Sequence, residues 1–233
     1  MFEINCHFLD TNVILAMILP EDSSYGKATE YFKLKYKRYL SNTVIRESEN
    51  VILKLKRISL KIINFVKNMI STKNIDLLKI EGFLDKIKRS FVKQYGDNDF
   101  PEGIKKERFI NIVNEFFNSY RDDFSQSILL NDITNLNTLS KDINRYFKGI
   151  MVNLKVFLKK FICITFLNKT GYIGSLMEIG VHSSDAIILD EFYCLSKHLN
   201  ELIIFITLDK DIFRLSGKIN QVFSSKIDIF YLQ

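Results

Sequence analysis

Apolar positions along this chain follow two kinds of pattern. Near both ends they form short compact runs, Ile4–Leu9, Tyr39–Ser41, Leu202–Thr207 and Ile227–Leu232, whose lengths suit buried strands. Between the first two, Ser23 and Ser24 precede apolar positions at Ala28, Tyr31 and Phe32 towards Tyr36, which predicts a capped helix. Ser183 and Ser184 likewise precede Ala186, Ile187, Leu189, Phe192, Tyr193 and Leu195. Strands alternating with helices at each end predict an α/β fold with a parallel sheet covered by helices.

The middle of the chain has a different period. Ile52, Leu55, Ile58, Ile62, Phe65, Val66, Met69 and Ile70 recur at helical spacing, as do Phe109, Ile112, Val113, Phe116, Phe117 and Tyr120. A further helix is expected from about Ile143 to Leu167, with loops at Tyr95–Lys105 and Asn131–Ser140. Phe161–Leu167 reads either as a third strand or as the end of that helix. The division predicted is a sheet-bearing core at 1–52 and 171–233 with a mainly helical insertion at 53–170, part of which belongs to the core.

Composition narrows the class. With 233 residues, 47% hydrophobic and 26% charged, the chain can bury one core plus an appendage, which excludes general disorder. Two prolines and nine glycines are too few for a sandwich built of many tight hairpins. Cys6, Cys163 and Cys194 are odd in number and far apart, and read as reduced thiols in a cytosol. No apolar run approaches the roughly 18 residues of a membrane span. The first twenty residues lack a basic leader, and Asp10 divides their apolar stretch, so a cytoplasmic protein is expected. The net charge of +6 is uneven: residues 53–170 hold 22 Lys and Arg against 12 Asp and Glu, and the flanks hold 11 against 15.

Four acidic residues stand where a parallel sheet would gather them. Asp10 ends the first strand in FLDTNVIL, Glu47 lies in TVIRESENVI, Asp185 begins the helix in SDAIIL, and Asp209 follows the strand in FITLDKDIF. In an open parallel sheet the carboxyl ends of the strands form the binding crevice. Carboxylates crowded there repel one another unless a hard divalent cation binds between them.

In order and context these motifs resemble the PIN-domain nucleases. The resemblance covers the two flanks and implies a PIN-like fold, with Asp10, Glu47, Asp185 and Asp209 as catalytic, metal-binding residues. It also implies Asn12 and Thr207 as supporting polar groups, Mg²⁺ or Mn²⁺ as cofactor, and endonucleolytic hydrolysis of RNA phosphodiesters. Such ions polarise the phosphate and activate water, so no protein nucleophile is needed. If the chain is toxin-like, an antitoxin is an expected partner, and a homodimer is a further expectation.

Each residue also has a plainer role open to it. Asp10 and Asp209 suit turns, Asp185 suits the positive end of a helix, and Glu49 competes with Glu47. Asp211 either supports the site through water or caps a turn. His182 reads as a capping or surface residue. The basic clusters Lys54, Arg57 and Lys61, Lys105, Lys106 and Arg108, and Lys159 with Lys160 are RNA contacts, solvated faces or a partner or dimer surface. Two rival functions stand beside cleavage. One is a non-catalytic RNA-binding or scaffold protein on the same fold. The other is an aspartyl-phosphate phosphatase, whose Asp-x-Asp is here Asp10-Thr11-Asn12 and lacks its second acid.

Overall fold

The computed structural model describes residues 6–72, 80–96, 106–130, 133–165, 170–199, 202–224 and 227–232. In chain order the first elements are β1 (Cys6–Leu9), α1 (Thr11–Ile18), α2 (Tyr25–Lys33), β2 (Lys37–Ser41) and α3 (Asn42–Thr72). There follow α4 (Ile80–Gly96), α5 (Lys106–Ser119), α6 (Arg121–Leu129) and α7 (Thr134–Leu158). The chain then forms β3 (Ile162–Ile164), α8 (Ile173–Glu178), α9 (Ser183–Leu199) and β4 (Ile203–Thr207). It closes with α10 (Lys210–Arg214), α11 (Ser216–Val222) and β5 (Asp228–Tyr231).

Two compact units result, one of residues 1–50 and 150–233 and one of residues 51–149. The division falls at 50/51 and 149/150, and the edge strand β3, which pairs with β2 through Leu40 and Cys163, is a part of the 53–170 segment that belongs to the sheet. These limits change the charge division. The helical unit holds 18 Lys and Arg against 12 Asp and Glu, while the sheet unit is balanced at 15 against 15.

The sheet unit carries five strands in the order β3-β2-β1-β4-β5, each pairing parallel. The central strand β1 is buried along its whole length, as a parallel strand covered on both faces must be. Phe8 packs with Phe192 of α9 at 5.7 Å and Phe205 of β4 at 5.9 Å between ring centroids. Aromatic burial thus fixes α9 against the two central strands. Gly180, at φ 97°, ends α8 in the left-handed region. Val181 N–H donates back to Leu176 O at 3.1 Å, which turns the chain towards α9.

Helix α1 lies outside the sequence expectation. Six of its eight residues are buried, so it has no polar face and no helical period to reveal it. Ser24 does stand at the start of α2, but its side chain makes no capping bond.

The helices expected at 52–70, 109–120 and 143–167 become parts of α3, α5 and α7, while α4 and α6 lie outside the sequence expectation. The polar segment Asn131–Ser140 is not a loop throughout, since α7 begins at Thr134. Leu136, Leu139, Ile143, Phe147, Ile150, Leu154 and Phe157 form one buried stripe along it, and this spacing outweighs the intervening Asn and Thr. That helix stops at Leu158 rather than Leu167. Phe109, Phe116 and Phe117 are buried, with Phe117 5.1 Å from Phe124 between centroids. They are core residues rather than platforms for bases. Most of the expected loop at Tyr95–Lys105 lies outside the described residues.

Candidate functional site

The adjacent strands β1 and β4 end together. Their register aligns Leu9 with Ile206, and Asp10 N–H continues the ladder by donating to Ile206 O at 3.0 Å. The sequence leaves the sheet at this point and the side chain of Asp10 becomes the N-cap of α1. Asp10 is only 1% exposed. Its Oδ1 accepts from Thr11 N–H at 2.7 Å, and its Oδ2 accepts from Thr207 Oγ1 at 2.7 Å and, at the long distance of 3.5 Å, from Asn12 Nδ2.

Thr207 closes β4 and couples two acids. While its hydroxyl donates to Asp10, the same oxygen accepts from Asp209 N–H at 2.9 Å. Asp209 in turn caps α10 through Oδ1, which accepts from Asp211 N–H at 2.7 Å and Ile212 N–H at 3.4 Å. Glu47 arrives from the second turn of α3, which follows β2 without an intervening residue. Its Oε2 accepts from Thr11 Oγ1 at 2.6 Å. Thr11 thus ties Asp10 to Glu47 as Thr207 ties Asp10 to Asp209. The sequence reading missed Thr11, although its place inside Asp-Thr-Asn was the available signal.

Burial pushes the Asp10 carboxyl up to about 7. The hydrogen bonds from Thr207 and Thr11 pull it back, and the charges of Glu47 and Asp209 raise it again. Three of the four expected acids therefore share one electrostatic neighbourhood. Asp185 stands half-buried in the first turn of α9, and the acidic side chains acting on Asp10 are those of Glu47 and Asp209. Further along α9, Glu191 Oε1 accepts from Thr43 Oγ1 at 2.7 Å, one turn before Glu47 on α3. Buried Asp190 accepts from both the backbone and the hydroxyl of Thr170. Neither acid was singled out from the sequence.

The donor chemistry suits Mg²⁺ or Mn²⁺, because oxygen ligands from Asp and Glu are what hard cations take. A cation beside Asp10 would offset the repulsion and burial that now hold its proton. Among the described residues, however, no group of three or more His, Cys, Asp or Glu side chains is already drawn to metal-ligand spacing. The threonine hydroxyls hold the carboxylates instead.

Other expected residues fall elsewhere. Asp211 is exposed and pairs with Arg214 at 3.5 Å. His182 is exposed, its Nδ1 3.1 Å from Ser184 Oγ at the start of α9. Lys54, Arg57 and Lys61 lie on α3 in the helical unit, where Lys61 Nζ stands 5.3 Å over the Tyr95 ring. Lys106 and Arg108 belong to α5, but their side chains, like the whole of Lys105, lie outside the described residues. Lys159 and Lys160 are exposed after α7 in the sheet unit. Among the described residues no helix is long and apolar enough to cross a membrane. No family model, curated protein or solved structure matches the chain.

Proposed function

We propose that this protein is a PIN-like, divalent-metal-dependent endoribonuclease. The observation that carries the reading is the buried Asp10 between β1 and β4, coupled to Glu47 and Asp209 from separate elements. The strand order reverses direction from β1 to β2 on one side and to β4 on the other. That is the switch point at which open α/β sheets bind ligands.

In this reading Asp10, Glu47 and Asp209 hold Mg²⁺ or Mn²⁺, and Asp185 completes the acidic set from the first turn of α9. A bound cation supplies Lewis-acid activation of water and of the scissile phosphate. Thr207 and Thr11 keep Asp10 oriented, and Asn12 lies beside its second oxygen. Burial keeps bulk water away from Asp10 and raises its carboxyl to about 7, so a neighbouring cation would favour its charged form near neutral pH. The excess of Lys and Arg in the helical unit favours a polyanion by long-range attraction.

A non-catalytic RNA-binding protein is the second reading, favoured by the hydroxyls that already satisfy Asp10 and Glu47. A labelled single-stranded RNA separates the two. Multiple-turnover cleavage with Mn²⁺ that stops with EDTA and with Asp10→Asn supports the nuclease. Binding without hydrolysis across several RNAs and both metals supports the rival, and metal-independent cleavage that survives Asp10→Asn rejects the mechanism.

A further inference from the structure

A second feature of the sheet unit lies away from the carboxylates. Met17 of α1, the end of α2, the start of β2, and the end of α7 with the segment after it border an open cavity of about 280 Å³. Three aromatic rings line it: Phe32 is 5.0 Å from Phe157 and 5.9 Å from Phe161, and Phe157 is 4.9 Å from Phe161 between centroids. Lys33, Arg38 and Lys160 also line it, and among the described residues no acid does. Arg38 pairs with His7 across β1 and β2, three residues before Asp10. At about 3.3 Å per residue the cavity is displaced roughly 10 Å along the strand from the acidic cluster.

Two of these cations lie against aromatic rings. The Arg38 guanidinium stands 5.0 Å over both Tyr31 and Phe32. One of its terminal nitrogens donates to Tyr31 O at 3.2 Å and Leu34 O at 2.5 Å, while its buried Nε has no hydrogen-bond partner among the described residues. Lys160 Nζ lies 5.8 Å over the Phe157 ring. Glu30 meets Lys33 only at the surface, where both side chains are exposed. The volume falls just below the roughly 300–1,000 Å³ of small-molecule pockets, which suits one ring and its phosphate.

We propose that this cavity is a single-nucleotide subsite for an RNA strand. An unpaired base packs against Phe32, Phe157 and Phe161, and its phosphate meets Arg38, Lys33 and Lys160. Aromatic stacking with neighbouring cations is how sequence-tolerant single-strand sites work. The subsite goes beyond the cleavage reading and does not depend on it, since binding here uses none of the carboxylates.

The test is fluorescence anisotropy of a labelled single-stranded hexaribonucleotide in EDTA, with no cleavage possible through a divalent metal. Lys160→Glu reverses an exposed charge, and Phe161→Leu keeps an apolar side chain; each should weaken binding about tenfold. Unlabelled UMP should compete only at concentrations far above the hexamer Kd. A hexamer containing 4-thiouridine should photocrosslink within residues 157–161. Unchanged affinity in both variants with unchanged circular dichroism overturns the proposal. So does crosslinking confined to other segments, or UMP that binds as tightly as the hexamer, which would make this a free-nucleotide site. Absence of cleavage by the wild-type protein in Mn²⁺, alongside these binding results, counts against the nuclease reading alone.

Discussion

Replacing Asp10 with Asn should stabilise the metal-free protein at alkaline pH, against the usual expectation for a buried, hydrogen-bonded residue. The carboxyl titrates at about 7 in the folded chain against an ordinary 3.8. Because the folded value is raised, the stabilising effect of its proton is fully present below 3.8. It is lost as the pH rises through about 7. At about 1.4 kcal/mol per pH unit the whole loss is about 4 kcal/mol, of which about 3 kcal/mol falls between pH 5 and pH 8. Asn is neutral throughout and keeps an acceptor for Thr11 N–H. It exchanges the Thr207 bond for a less favourable one, at about 1 kcal/mol. Calorimetry of both proteins in EDTA should therefore find Asp10→Asn roughly neutral or slightly destabilising at pH 5. By pH 8 the difference between the proteins should move in the variant's favour by about 3 kcal/mol, roughly 6–12 °C for a chain of this size. Taking the difference removes His7, which titrates in both proteins. A variant less stable than the wild type by the same amount at both pH values would refute the reasoning.

Several other perturbations read the same site and its surroundings. Mn²⁺ binding near pH 6 should displace about one proton, falling towards none above pH 8, because the cation must expel the Asp10 proton; titration calorimetry in buffers of different ionisation enthalpy measures this. Glu47→Gln and Asp209→Asn should each lower the Asp10 pKa by removing a neighbouring negative charge, as followed by carboxyl NMR. Thr207→Val removes the donor to Asp10 and the acceptor of Asp209 N–H, and should cost about 1–3 kcal/mol in denaturant unfolding. Burial and the Arg38 charge push His7 down to about 4. Its ring should therefore stay neutral through pH 6 by NMR, and its contribution to stability should be lost as the pH falls from 6.5 through 4. In the helical unit Leu136→Ala should cost about 2–5 kcal/mol, because Leu136 is fully buried at the head of the α7 stripe.

The alternating strands and helices of the ends were legible because parallel strands are short, continuous and apolar. Asp10, Glu47 and Asp209 were legible because each follows such a strand, directly or at the start of its helix. Helix α1 was not, since burial on all sides erased the period that reveals a helix. The start of α7 was hidden by its polar residues, although Leu136 and Leu139 carry the stripe. β3 was hard to place because three residues at a sheet edge, two of them exposed, resemble a frayed helix end. Thr11 stood in plain view inside Asp-Thr-Asn, but its bond to Glu47, like the pairing of Glu191 with Thr43, joins segments that only the fold brings together. The charge asymmetry was visible in outline, but its boundary moved with β3, and the sheet unit proved neutral rather than acidic.

The central claim is that the acids around Asp10 are a metal site. Anomalous diffraction from crystals soaked in Mn²⁺ tests it most directly. The account predicts a peak at the carboxyl ends of β1 and β4, held by Asp10, Glu47 and Asp209 with Asp185 bound directly or through water, and lost in Asp10→Asn. Saturating Mn²⁺ that leaves this position empty, with the Thr11 and Thr207 hydrogen bonds unchanged, would contradict it.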